Sequence, residues 1–270
     1  MHERISVNTL CFPGVPFSAL AGFWAELQPR RLGLTTSLMF AEGVEATRAA
    51  VATGPYRVDV LSHQFLAGVI TDDEAALAEP RRKLSEAIAM GKKLGARCLY
   101  MAGGGHGPGT WEQSAEMFVA AIAPCLDEAR AAGIELMIET SNPVYASSQL
   151  AHNLRDTITL AEMAGIGVCI DIFAVWSEAG LKETIERAMP RCHLVQVGDW
   201  RFGDRSLPSR SVPGDGVIPL ERIIGWILDA GYTGAFDFEL LGPRIEEEGP
   251  VQAVARAGEY VGEILDRLGA

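Results

Sequence analysis

The chain has 270 residues, 48% hydrophobic and 21% charged, with 29 glycines; it is long enough for one large core and has neither disordered nor fibrous composition. A formal charge of −12 argues against a nucleic-acid partner, because phosphate binding needs a concentrated basic surface. Five scattered cysteines without a C-x-x-C pair, and no apolar run long enough for targeting or spanning, predict a cytoplasmic protein with no membrane partner.

From the N-terminus, short apolar runs alternate with longer segments of helical spacing. Strands are predicted at ISVNTLCF (5–12), LTTSLMF (34–40), VDVLSHQF (58–65), RCLYMAG (97–103), IELMIET (134–140), GVCIDIF (167–173), HLVQVGD (193–199) and AFDFELLG (235–242). Between them lie helical patterns such as 81–96, 115–133 and 220–231. Gly95, Gly133, Gly165 and Gly231 stand where a left-handed residue would end a helix. Eight strand–helix units over 1–270 predict a single α/β domain, a (β/α)8 TIM barrel. A doubly wound sheet fits less well, since CFPGVPFSAL after the first strand lacks a glycine-rich phosphate loop. The longest irregular stretches, about 102–110, 140–152 and 199–216, each follow a strand, where a barrel builds its catalytic face.

The last four predicted strands each break the apolar rule near their C-terminal ends, with Glu139, Asp171, Gln196 and Glu239. A carboxylate in an apolar strand is costly unless paired or bound to a cation. Three of them around one point would raise one another's pKa values, and a divalent cation removes the conflict. Oxygen ligation of this kind suits Mn²⁺ or Mg²⁺. His63, ending the third strand, and His106, in the loop after the fourth, are candidates for a general acid or a substrate hydrogen bond. Trp111, Trp176 and Trp200 follow strands and are candidates for an apolar substrate rim. Gly103–Gly104–Gly105 is a weak phosphate-cradle signal. Asp199 and Arg201 are placed to orient Gln196 or the substrate.

MAGGG, LMIET, VCIDIF, VQVGDW…PGDG and FELLGP together resemble the strand ends of the xylose isomerase-like barrel superfamily, of the sugar phosphate isomerase/epimerase type. The resemblance is strongest from about Leu99 to Gly242. It implies that Glu139, Asp171, Gln196 and Glu239 hold a divalent metal, Mn²⁺ first, with Mg²⁺ or Co²⁺ as substitutes. Gln at the third position resembles the hydroxypyruvate isomerase-like branch. That branch's Arg-x-x-Pro-Gly segment is Arg210-Ser211-Val212-Pro213-Gly214 here, so Arg210 would grip an anionic or polyhydroxylated small molecule. The implied activity is isomerisation or epimerisation of a sugar, keto-sugar or related hydroxycarbonyl compound. Glu139 and Glu239 would remove and return a proton through a metal-stabilised enediolate. Such relatives are often oligomers, which implies a homo-oligomer. Two departures stand out: Asp171-Ile172-Phe173-Ala174 lacks the His many relatives carry at position 174, and Asn142-Pro143 replaces a His-Pro pair. They leave room for a metal-dependent lyase using the same carboxylates, either a dehydratase or an enzyme cleaving a 3-keto-glycoside. The superfamily's abasic-site nucleases fit poorly, because this chain is acidic and lacks their extra histidines.

Overall fold

Eight parallel strands close into a barrel in the order of the sequence, β1 through β8. They are β1 Ile5–Asn8, β2 Arg31–Thr35, β3 Arg57–Gln64, β4 Cys98–Ala102, β5 Glu135–Glu139, β6 Gly167–Asp171, β7 Cys192–Val197 and β8 Phe236–Phe238. The structure is a computed structural model that describes residues 1–206 and 208–270; position 207, within the long stretch after β7, lies outside the described residues. Around the barrel run α1 Phe17–Leu27, α2 Thr36–Glu42, α3 Val44–Val51, α4 Glu74–Leu94, α5 Trp111–Ala132, α6 Leu154–Ala164, α7 Ile172–Val175, α8 Leu181–Ala188, α9 Leu220–Asp229, α10 Pro243–Glu248 and α11 Pro250–Arg267. Among the described residues no helix is long and apolar enough to cross a membrane.

The predicted stops hold. Gly95, Gly133 and Gly165 take φ of 71°, 72° and 67° at the ends of α4, α5 and α6, a region open to glycine at little cost. The second predicted strand is corrected. Instead of 34–40, β2 covers Arg31–Thr35, and Thr36–Glu42 is helical. The run TSLMFAE is as apolar as a buried strand but rich in helix formers, and a run of seven cannot separate the two by periodicity. The sixth prediction is likewise cut at Asp171, whose side chain accepts a hydrogen bond from the Phe173 amide and starts α7 there.

Strand alternation sorts the core into two compartments. Val60, Cys98, Tyr100, Met137, Cys169 and Leu194 fill the barrel interior. Their neighbours Leu61, Leu99, Ile138, Val168, Ile170 and Val195 face outward and pack under the helices. The bottom of the barrel is closed by buried Asp59, which receives Arg31, Arg57 and Arg97 at 3.0, 3.3 and 3.4 Å. All five cysteines are buried and free, as the apolar surroundings of Cys98, Cys169 and Cys192 predict.

Candidate active site

The strand period explains the site. Two residues beyond Met137, Cys169, Leu194 and Asp237, on the same inward face, come Glu139, Asp171, Gln196 and Glu239. All four therefore converge at the C-terminal mouth. Asp171 is 3% exposed and Gln196 fully buried, while Glu139 and Glu239 are half-buried and open onto a cavity. Burial raises the Glu139 pKa well above the usual carboxylate range, and the charges of Glu239 and Asp171 push it the same way. Burial raises Glu239 as well, against the opposing pull of Arg210.

Arg210 lies among these carboxylates, 7% exposed. Its Nη1 and Nη2 donate to the two Asp171 oxygens at 3.0 and 2.9 Å, and Nη2 also lies 3.0 Å from Glu239 Oε2. The guanidinium stacks over Phe173 at 4.3 Å from the ring centroid, beside Ala174 in the turn that lacks histidine. Burial alone would lower its pKa, but Asp171 and Glu239 outweigh burial and hold it above its ordinary value. Gln196 Nε2 donates to Glu239 Oε2 at 2.8 Å while Cys169 Sγ donates to Gln196 Oε1 at 3.2 Å. Gln149 Nε2 donates to Glu139 Oε2 at 3.0 Å.

The loop after β7 is shaped to deliver Arg210. Buried Asp199 accepts four backbone N–H groups: Trp200 and Ile218 on Oδ1 at 2.8 and 3.1 Å, Gly214 and Gly216 on Oδ2 at 3.0 Å each. Asp199 and Ser211 also exchange backbone hydrogen bonds. Gly216 packs so closely on the Asp199 carboxylate that a Cβ would collide with it. Asp199 thus orders the backbone rather than touching Gln196. Arg201 instead pairs with Asp215 at 3.0 Å.

The other sequence candidates divide. His63 lines the cavity that reaches Glu139 and Glu239. Its Nδ1 meets Thr36 Oγ1 at 2.9 Å, and burial brings its pKa down to about 4, so it is neutral. His106 bonds its own loop at the Gly107 carbonyl and is absent from the linings of both mouth cavities. Trp176 and Trp200 pack on each other at 6.2 Å, and Trp200 on Phe202 at 5.4 Å. This cluster stands beside the mouth, and neither Trp lines those cavities. Trp111 donates its indole N–H to the Leu150 carbonyl at 3.0 Å. The N–H groups of Gly103, Gly104 and Gly105 already serve Gln149, Ser148 and Gly68, leaving none to cradle a phosphate. His193 lies 3.9 Å from Glu135 at the opposite end of the barrel, where no catalysis is expected.

Several residues at the site carried no signal in the sequence reading. Gln149 is a polar residue of a loop and Phe173 an aromatic one in the short helix α7, and their role depends on which side chain they meet. Tyr100 is an inward residue of β4 whose hydroxyl is buried without a partner. Alternation from Cys98 places it inside, though nothing local says what it faces. Below the mouth, Asn8 Nδ2 donates to Asp237 Oδ2 at 2.7 Å, and a Cβ at Gly33 would come within 2.5 Å of that amide.

The family profile described as xylose isomerase-like TIM barrel matches residues 22–260, most of the chain. The chain belongs to this family. Comparison with curated proteins finds no match. Among solved structures, protein SMc04130 from Sinorhizobium meliloti 1021 is 26% identical with a TM-score of 0.84, covering 97% of this chain and 98% of its own. IolI, described with a bound zinc atom, is 13% identical with a TM-score of 0.83, covering 98% of each chain. The apo 3-keto-D-glucoside 4-epimerase YcjR from E. coli is 14% identical with a TM-score of 0.78, covering 96% of this chain and 98% of its own. At 13 and 14% identity the last two share the fold. In this xylose isomerase-like barrel the strand ends of β5 to β8 form the acidic half of the mouth.

Proposed function

We propose that this xylose isomerase-like protein is a divalent-metal-dependent isomerase or epimerase of a sugar, keto-sugar or related hydroxycarbonyl compound. The observation that carries the reading is a surplus of charge. Three carboxylates, Glu139, Asp171 and Glu239, converge on one mouth that holds one guanidinium, Arg210. A divalent cation would neutralise what Arg210 leaves over. The donor set is hard, three carboxylates and an amide, and suits Mn²⁺ or Mg²⁺. Gln196 now turns its nitrogen toward Glu239, and a half-turn of the amide, whose two ends are nearly alike, would present oxygen instead. The zinc in the IolI description and the epimerase activity in the YcjR description are consistent with this class of chemistry.

When bound, the ion would polarise a substrate carbonyl and acidify the neighbouring C–H. The chain's own residues do the rest. In this reading Glu139, from β5, and Glu239, from β8, share the proton transfer, one removing a proton and the other returning it. Burial raises the pKa of both carboxyls, the direction that favours a group able to take up and release a proton. Gln149 holds Glu139, and Gln196 with Arg210 holds Glu239, so both carboxylates have fixed directions. Arg210 is within reach of a substrate oxygen entering beside Tyr145 and Asn142. Elimination by the same carboxylates is the second reading, favoured by Ala174 where a histidine would otherwise contact the substrate.

The test is a panel of ketoses and 3-keto-glycosides incubated with Mn²⁺ in deuterated water. Deuterium in recovered isomeric sugar supports isomerisation; release of water or aglycone supports the lyase. No exchange with any substrate, in protein that binds Mn²⁺ stoichiometrically, would refute both. Glu139→Gln and Glu239→Gln should each lower exchange by about 10²–10⁴-fold while circular dichroism stays native.

A further inference from the structure

Glu139 and Glu239 stand where two chambers meet, since both residues line both. The smaller, about 340 Å³, carries Ser141, Asn142, Ser148, Gln149 and Arg210 in a wall that also includes Phe173 and Leu241. Its lining and size suit one polyhydroxylated ring. The larger chamber, about 890 Å³, runs from the carboxylates toward β2, β3 and α4, and Leu10, Phe40, Phe65 and Pro80 share its wall with Thr35, Ser37 and Gln64. That volume lies at the upper end of what encloses a drug-sized ligand, more than a single sugar fills, and Phe40 is its partly exposed ring.

The charges at the outer edge do not make an anion site. Arg82 bonds Glu79 and Glu86 at 2.7 and 3.0 Å, and Lys83 lies 3.8 Å from Glu79, so they satisfy one another. Two residues of the wall have polar atoms that the protein leaves without partners: His63 Nε2 and Tyr100 Oη are both buried and unbonded. His63 is held by Thr36 and stacked edge-on by Phe40 at 6.3 Å, so its ring is fixed in place. A buried polar atom without a partner is rare in native proteins and calls for a ligand or water.

We propose that the substrate is a glycoside carrying an apolar, aryl-sized aglycone. The sugar ring occupies the smaller chamber and the aglycone the larger one beside Phe40 and Phe65. His63 and Tyr100 serve oxygens of the glycoside. This rests on the reading of Glu139 and Glu239 as the reacting centre for the sugar part, but its test requires no turnover.

Isothermal titration with phenyl and methyl β-D-glucopyranosides, and with the matching galactopyranosides, reads the aglycone contribution directly. The phenyl compound should bind at least about tenfold more tightly than its methyl partner in one series or both, from the apolar area a phenyl ring buries. Phe40→Ala should erase that advantage. Ser37→Trp should do the same by filling the chamber from an exposed position that the fold does not depend on. Equal affinity for phenyl and methyl compounds, no binding of either, or a phenyl advantage that survives both substitutions would overturn the proposal. Elemental analysis of the same samples keeps the two readings apart. Metal-free protein with the phenyl advantage refutes the metal alone; metal-loaded protein without it refutes the two-chamber substrate alone.

Discussion

At the scale of single residues, the site is governed by how charge is balanced inside a poorly solvated mouth. Burial and neighbouring carboxylates act on Glu139 in the same direction, whereas Arg210 offsets them at Glu239. Arg210→Met would leave Asp171 buried without its partner. Breaking a buried pair from one side costs about 3–5 kcal/mol, and that loss should appear in urea unfolding of the metal-free variant. Addition of Mn²⁺ should recover part of it; a variant as stable as wild type without metal would show that Arg210 is not the counter-ion. His63 gives a pH signature. Its pKa is about 4 in the folded protein against 6.5 unfolded, so between these values the unfolded chain holds the extra proton. The stability of burying it neutral is present above about pH 6.5 and is lost as pH falls toward 4. The stability difference between wild type and His63→Gln should therefore shrink by about 3 kcal/mol from about pH 8 to about pH 4. Comparing the two proteins cancels the opposing titration of other buried groups, among them Asp237, whose burial raises its pKa to about 7. A constant difference would contradict the buried neutral ring.

At the scale of elements, strand alternation does most of the positioning. Cys169 to Asp171 and Leu194 to Gln196 are two-residue steps, so the polar residues inherit the inward face from the apolar ones below them. That much was legible without coordinates, because the period of a strand is a local property. The second strand was misplaced because TSLMFAE is short and apolar, and only packing against its neighbours separates helix from strand there. The loop after β7 is the clearest case of an element with no local code. Its shape comes from Asp199, whose carboxylate gathers amides as far along the chain as Ile218. Asp199→Ala should leave those N–H groups unsatisfied and destabilise the loop by about 2–4 kcal/mol, at about 1–3 kcal/mol per unmet group with partial recovery by water. Hydrogen exchange should rise across 199–218 and stay native in β5 and β6. Unchanged protection in the loop would show that other contacts hold it.

At the scale of the whole molecule, closure of the barrel joins strands that are remote in sequence. Glu139 on β5 and Glu239 on β8 meet at one mouth because the strands between them are rolled into a closed ring. A ligand bound by four strands stabilises the folded state alone. Mn²⁺ at a hundred times its Kd should add about 2.7 kcal/mol, or roughly 5–10 °C in Tm for a chain of this size. Differential scanning calorimetry before and after chelation reads this directly, and no shift at saturating Mn²⁺ would count against the four residues as ligands.

By itself the sequence determined the barrel, the helix stops and the inward strand-end positions of Glu139, Asp171 and Glu239, since each follows from apolar periodicity and the cost of placing charge in a buried strand, while Gln196 leaned on the family resemblance. Only the tertiary structure decided what those residues touch. It brought Arg210 across from its long loop to Asp171 and Glu239, placed Gln149 on Glu139, left His106, Trp176 and Trp200 outside the chambers, and set a second, larger chamber beside the carboxylates. The reason is range. A strand's facing is fixed within a few residues, whereas contacts between loops and strand ends depend on which loops a closed ring brings together.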